Sequence, residues 1–110
     1  MPFRTREPLD RLHVTPDALE AWCAKWKVVE LAFFGSVLGE DFRPDSDVDV
    51  MVVFADDAHW GLFNFSAMAD ELEEILSRHV DLLTRGSVEH SRNPLRRKEI
   101  LGTAQVVYAA

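Results

Sequence analysis

Two apolar runs of strand character, residues 28–34 and 48–54, are separated by a turn-rich segment, and what flanks that segment limits the possible folds most. The first run ends in Gly35-Ser36. The second is rich in valine and carries Asp47 and Asp49 at its entrance. The ten residues between Ser36 and Asp47 include Gly39, Pro44, Asp45 and Ser46, types that punctuate turns. Along a strand, residues i and i+2 share a face, with Cα atoms ~6.5–7 Å apart. Asp47 and Asp49 therefore aim two carboxylates at one spot, while Val48 and Val50 face the other way. Such carboxylates repel unless a cation lies between them, and hard oxygen donors select Mg²⁺ or Mn²⁺. The Gly-Ser pair complements them. Glycine admits a ligand close to the backbone, a serine hydroxyl donates to phosphate, and a following helical turn offers free N–H groups to an anion. A phosphate cradle and a metal clamp on neighbouring strands describe a nucleotide site.

The pattern Gly35-Ser36, ten residues, Asp47-x-Asp49 resembles the signature of the nucleotidyltransferase superfamily related to DNA polymerase beta. It is most similar to the minimal nucleotidyltransferases, antitoxin partners of HEPN-domain toxins. That family places a third carboxylate on a later strand, and His79-Val80-Asp81-Leu82-Leu83-Thr84 offers Asp81 in the matching context. The resemblance implies a nucleotidyltransferase fold with a small mixed sheet. It also implies Mg²⁺-dependent transfer of AMP from ATP to a hydroxyl, a tyrosine of a cognate HEPN toxin with which the chain would form a hetero-oligomer.

In such a site Asp47 and Asp49 would hold one Mg²⁺ on the triphosphate. Asp81 would help them hold a second, or act itself as general base. Ser36 and the Gly35 backbone would grip the β and γ phosphates, leaving pyrophosphate as the departing group. In one respect the chain differs. Relatives often carry an arginine after the Gly-Ser pair, where this chain reads Val37-Leu38-Gly39-Glu40. Arg43, or else Arg85, is the expected replacement for that charge. A competing reading keeps the antitoxin but makes the nucleotide site vestigial, with neutralisation by occlusion. A third, adenylylation of a small molecule, would need a substrate-binding domain that the sequence does not show.

At 110 residues the chain is expected to form one domain, with residues 1–14 as an extended arm or frayed first turn. A hydrophobic content of 47% suits a soluble protein with a real core. No apolar run approaches the ~20 residues of a membrane span. The start, Met1-Pro2-Phe3-Arg4-Thr5-Arg6, lacks an apolar signal core, so a cytoplasmic protein is expected. Cys23, the sole cysteine, rules out an internal disulfide and fits a reducing compartment. The net charge of −7 argues against direct nucleic-acid binding but leaves room for a nucleotide neutralised locally by metal.

Thr15-Pro16-Asp17 reads as a helix start, the helix running to about Lys27 with Leu19, Trp22, Cys23 and Trp26 on a core-facing stripe. A short helical turn is expected from Ser36 to about Glu40, and a loop over residues 42–46. Asp56 and Asp57 read as the cap and a first-turn acid of a long helix over His59–Arg78, whose first turns Gly61 and Asn64 weaken, so that its start can fall near Phe65. Its acids Asp70, Glu71, Glu73 and Glu74 read as a solvated face. A third strand spans Val80–Thr84, and Arg85-Gly86-Ser87 reads as a turn. Asn93-Pro94 opens a last helix that Gly102 ends, and residues 104–108 form a closing edge strand. The basic cluster Arg92, Arg96, Arg97 and Lys98 is either a solvated helix face or a contact with the substrate protein or the nucleotide. The four histidines read as incidental. Strands alternating with helices give an α/β (α+β) layer of three to four strands with helices packed on it.

Overall fold

The computed structural model describes Leu9, residues 12–39, Arg43 and residues 46–110, apart from the side chain of Ser36. Most of the expected arm, Glu40 of the expected helical turn, and Phe42, Pro44 and Asp45 of the expected loop lie outside these residues. Leu9 and Leu12, within the stretch expected as an arm, are 1% and 5% exposed and belong to the core.

The elements run α1 (Pro16–Lys25), β1 (Val28–Phe34), a 3₁₀ turn (Gly35–Leu38), β2 (Val48–Phe54), α2 (Leu62–Leu76), β3 (Val80–Thr84), α3 (Arg85–Glu89), α4 (Pro94–Thr103) and β4 (Gln105–Ala109). The four strands form one mixed sheet in the order β3-β2-β1-β4. β1 pairs antiparallel with β2 and β4, while β2 and β3 are parallel, with α2 as the crossover between them. A parallel pair needs such a crossover, and the 15-residue helix supplies it.

Alternation along the strands divides the sheet. Leu31, Phe33, Val48, Val50, Val52, Val80 and Leu82 point to the face that α1 and α2 cover, and make the main core with Leu19, Trp22, Met68 and Leu72. Ala32, Phe34 and Met51 point the other way and make a smaller cluster with Val88 of α3 and Ile100 of α4. The stripe on α1 is core: Leu19, Trp22, Cys23 and Trp26 are all buried, and Trp22 Nε1 donates to the carbonyl of Met68 at 3.1 Å. Burial pushes the Cys23 thiol up to about 12, which removes it from thiolate chemistry at neutral pH.

Several local expectations are corrected. α2 starts at Leu62, capped by the Asn64 side chain accepting from the Gly61 N–H at 3.1 Å. Asp57 instead pairs with Lys27 at 3.1 Å. Leu62 and Phe63, apolar residues in the first turn of α2, are 83% and 91% exposed. Two of the α2 acids hold structure rather than water alone. Glu71 accepts from Lys25 Nζ and Trp26 Nε1, and Glu73 accepts from the Val80 N–H that opens β3. Residues 85–87 are not a turn but the start of α3, which Thr84 caps by accepting from the Ser87 N–H. Gly102 does not end α4, because the helix runs on to Thr103 and the Ala104 N–H still reaches the carbonyl of Ile100.

Candidate active site

The site forms where β1 ends, β2 begins and β3 runs beside it. Antiparallel pairing puts Phe34, the residue before Gly35, opposite Asp49. Parallel pairing puts Asp81 level with Asp49 on the neighbouring strand. Register partners on adjacent strands share a face at the ~4.8 Å strand spacing, so Asp49 and Asp81 stand side by side. Asp47, two residues earlier and just before β2, extends the same acidic row and is exposed. The structure therefore brings together the three carboxylates expected at the site.

Gly35 locks into this row. Its φ is +77°, in the left-handed region. A Cβ built there would overlap Asp49 Oδ2 and lie 3.2 Å from Asp49 Cγ. The Asp49 carboxylate thus occupies the space that any other side chain at position 35 would need. The expected phosphate cradle and the expected metal clamp touch. Ser36 lies in the 3₁₀ turn that follows, with its hydroxyl outside the described atoms.

Electrostatics follow from the packing. The Asp49 carboxyl is held above the usual carboxylate range, mainly by burial and then by the negative charges of Asp81 and Asp47, with Arg96 acting in the opposite direction. Among the described residues no group of three or more His, Cys, Asp or Glu closes into a ready-made metal cage. The donors nevertheless fit a hard divalent cation, which would relieve the repulsion felt at Asp49. Mg²⁺ characteristically takes one or two carboxylates and completes its shell with water and substrate phosphate.

The histidines are not all incidental. His79 Nδ1 lies 3.7 Å from Asp47 Oδ1, and its Nε2 lies 3.7 Å from Glu73 Oε2. The His79 carbonyl accepts from the Val48 N–H at 2.9 Å, tying the entrance of β2 to the residue just before β3. Arg78 Nη1 donates to the carbonyls of Arg43 and Ser46 at 2.8 and 3.3 Å, which fastens the segment just before Asp47. Arg43, the expected phosphate contact, is exposed, and its N–H donates to Ser46 Oγ. Arg85, the other expected substitute, pairs with Glu30 and Glu89.

A cavity of about 230 Å³ opens beside Asp49, lined by Phe34, Gly35, Asp49, Arg96, Glu99, Ile100 and Thr103. Arg96 and Ile100 also line a neighbouring cavity of about 300 Å³, together with Leu83, Ser87, Val88, Ser91, Asn93 and Arg97. The sequence left Arg96 as one member of a basic cluster, because only the return of α4 across the sheet singles it out.

A mixed sheet with this acidic row beside a glycine-led turn defines an enzyme of the nucleotidyl-transfer class. The family model described as "Nucleotidyltransferase domain" matches residues 16–107. The chain is 34% identical over 76 residues to "Putative protein adenylyltransferase MJ1379" of Methanocaldococcus jannaschii, covering 69% of this chain and 73% of that protein. It is 32% identical over 80 residues to "Putative protein adenylyltransferase MJ0435" of the same organism, covering 73% of this chain and 80% of that one. Among solved structures, it is similar to one described as "Structure of putative minimal nucleotidyltransferase", with TM-score 0.61, 28% identity, and coverage of 81% and 85% of the two chains. A toxin–antitoxin structure with AMP-PNP shares the fold, with TM-score 0.65, 17% identity, and coverage of 86% and 73%. The chain belongs to the nucleotidyltransferase domain family, and within it to the minimal type.

Proposed function

We propose that this protein is a protein adenylyltransferase that moves AMP from ATP to a hydroxyl of a partner protein, a tyrosine of a cognate HEPN-type toxin, and so silences it. The observation that carries the reading is the acidic row Asp47, Asp49 and Asp81, whose Asp49 packs against Gly35 and lines a cavity with it. Relatives named as protein adenylyltransferases and a toxin–antitoxin structure of the same fold support the acceptor class. The exposed apolar residues Leu62, Phe63 and Leu95 suit contact with a protein. A cytoplasmic setting, with ATP at hand and Cys23 reduced, fits the same reading.

Asp47, Asp49 and Asp81 would hold Mg²⁺, which would supply charge neutralisation of the triphosphate and Lewis-acid polarisation of its phosphorus. The chain's own groups do the rest. The N–H groups at the turn from Gly35 bind the β and γ phosphates, and Ser36 adds a donor. The acceptor oxygen bonds to the α-phosphorus as the link to the bridging oxygen breaks and pyrophosphate leaves. Asp81, exposed and level with Asp49 on the neighbouring strand, takes the hydroxyl proton.

Intact-mass measurement of the purified toxin after incubation with this protein, ATP and Mg²⁺ tests the reading. Additions in AMP-sized steps are expected, and they should vanish for Asp47→Asn. A toxin left at its original mass, yet bound and silenced, would replace catalysis with occlusion.

A further inference from the structure

We infer that Arg96, from the first turn of α4, is the phosphate-binding cation of this site, taking the place that a basic residue after the Gly-Ser pair would fill. The inference rests on the nucleotidyl-transfer reading above and names a residue that this chain uses in its own way.

Position rules out the local alternatives. The segment after Gly35-Ser36 brings no cation: Val37 is 1% exposed and packs in the core, and Leu38 is apolar. The charge has to arrive from another element. α4 returns across the face that carries the acidic row, and its Ile100 anchors it in the small cluster with Phe34 and Met51. Arg96, one helical turn before Ile100, then borders the cavity that contains Gly35 and Asp49.

Arg78, Arg85 and Arg97 are committed, and Arg43, whose backbone N–H donates to Ser46 Oγ, does not line the cavity that holds Gly35 and Asp49. Arg78 bridges two carbonyls before Asp47, and Arg85 is held by Glu30 and Glu89. Arg97 Nη1 lies 3.5 Å from the carbonyls of both Glu89 and Ser91. Arg96 has its backbone N–H capped by Asn93 Oδ1, but among the described residues its guanidinium makes no hydrogen bond or ion pair. Its neighbours in the cavity include the acids Asp49 and Glu99. A guanidinium left without a bidentate partner beside a metal-binding carboxylate is suited to phosphate, which it meets with two parallel N–H donors.

The test is calorimetric titration of the folded protein in Mg²⁺ with a non-hydrolysable ATP analogue and, separately, with adenosine. Arg96→Ala is expected to weaken the analogue at least about tenfold, as loss of a charge-assisted bond does, while adenosine binding stays as in the wild type. Arg96→Lys should recover part of the loss, because it restores charge without the fork. Arg96 is exposed, so circular dichroism of the variants should match the wild type. Wild-type affinity of Arg96→Ala for the analogue would overturn the inference alone. An equal loss for adenosine would also overturn it, by assigning Arg96 to the nucleoside. Failure of the wild type to bind the analogue at all would bring down the functional reading first, and this inference with it.

Discussion

The two faces of the sheet are built from alternate residues of the same strands and do opposite work. The face under α1 and α2 is dry and continuous, with Phe33, Leu31, Val50 and Val52 all fully buried. The face under α3 and α4 carries, among the described residues, a smaller buried cluster, open cavities and the acidic row. A strand position thus chooses between stability and chemistry by parity: Val48 and Val50 go to the core, while Asp49 between them goes to the site. Putting the carboxylates on the thin face leaves room for a ligand, and the thick face has to hold the fold without help from it.

That contrast can be tested by truncation. Phe33→Ala, in the thick core, should cost about 3–5 kcal/mol in denaturant unfolding. Ile100→Ala, in the thin cluster and bordering both cavities, should cost less, about 2 kcal/mol, because its cavity opens onto existing space. Equal losses would mean that the two faces bear the fold alike.

The smallest effect concerns Asp49. Its carboxyl sits above the ordinary range, first through burial and then through Asp81 and Asp47, so the folded state binds protons more tightly there than the unfolded chain does. Ionising it therefore costs stability as pH rises from about 4 through the raised value, and the cost stays at neutral pH. Asp49→Asn should accordingly raise the melting temperature slightly at pH 7, lose that advantage in acid, and abolish transfer. A lowered melting temperature at pH 7 would show that Asp49 is structural.

Much of this was legible in the chain. β1, β2 and β3 fall on their expected bounds, since each is a run of branched and aromatic residues between turn residues. At residues 85–87 the sequence points to a turn because a five-residue helix carries too little periodicity to outweigh a glycine. Its cap, Thr84, was the available signal. The pairing of Asp57 is not legible locally, because its partner, Lys27, is remote in sequence. The candidate carboxylates were visible because two of them follow strand spacing. Arg96 could only be placed among other basic residues, since its relation to Asp49 depends on how α4 crosses the sheet.

The contact between Gly35 and the Asp49 carboxylate has a consequence for how such a chain can vary. Every residue other than glycine brings a Cβ, so no single substitution at position 35 keeps both the turn and the acid where they are. In a library of all point variants selected for nucleotidyl transfer, position 35 should stand as an empty row. A second change at position 49 would clear the space only by removing a carboxylate that the proposed transfer needs, so the glycine and the acid stand or fall together.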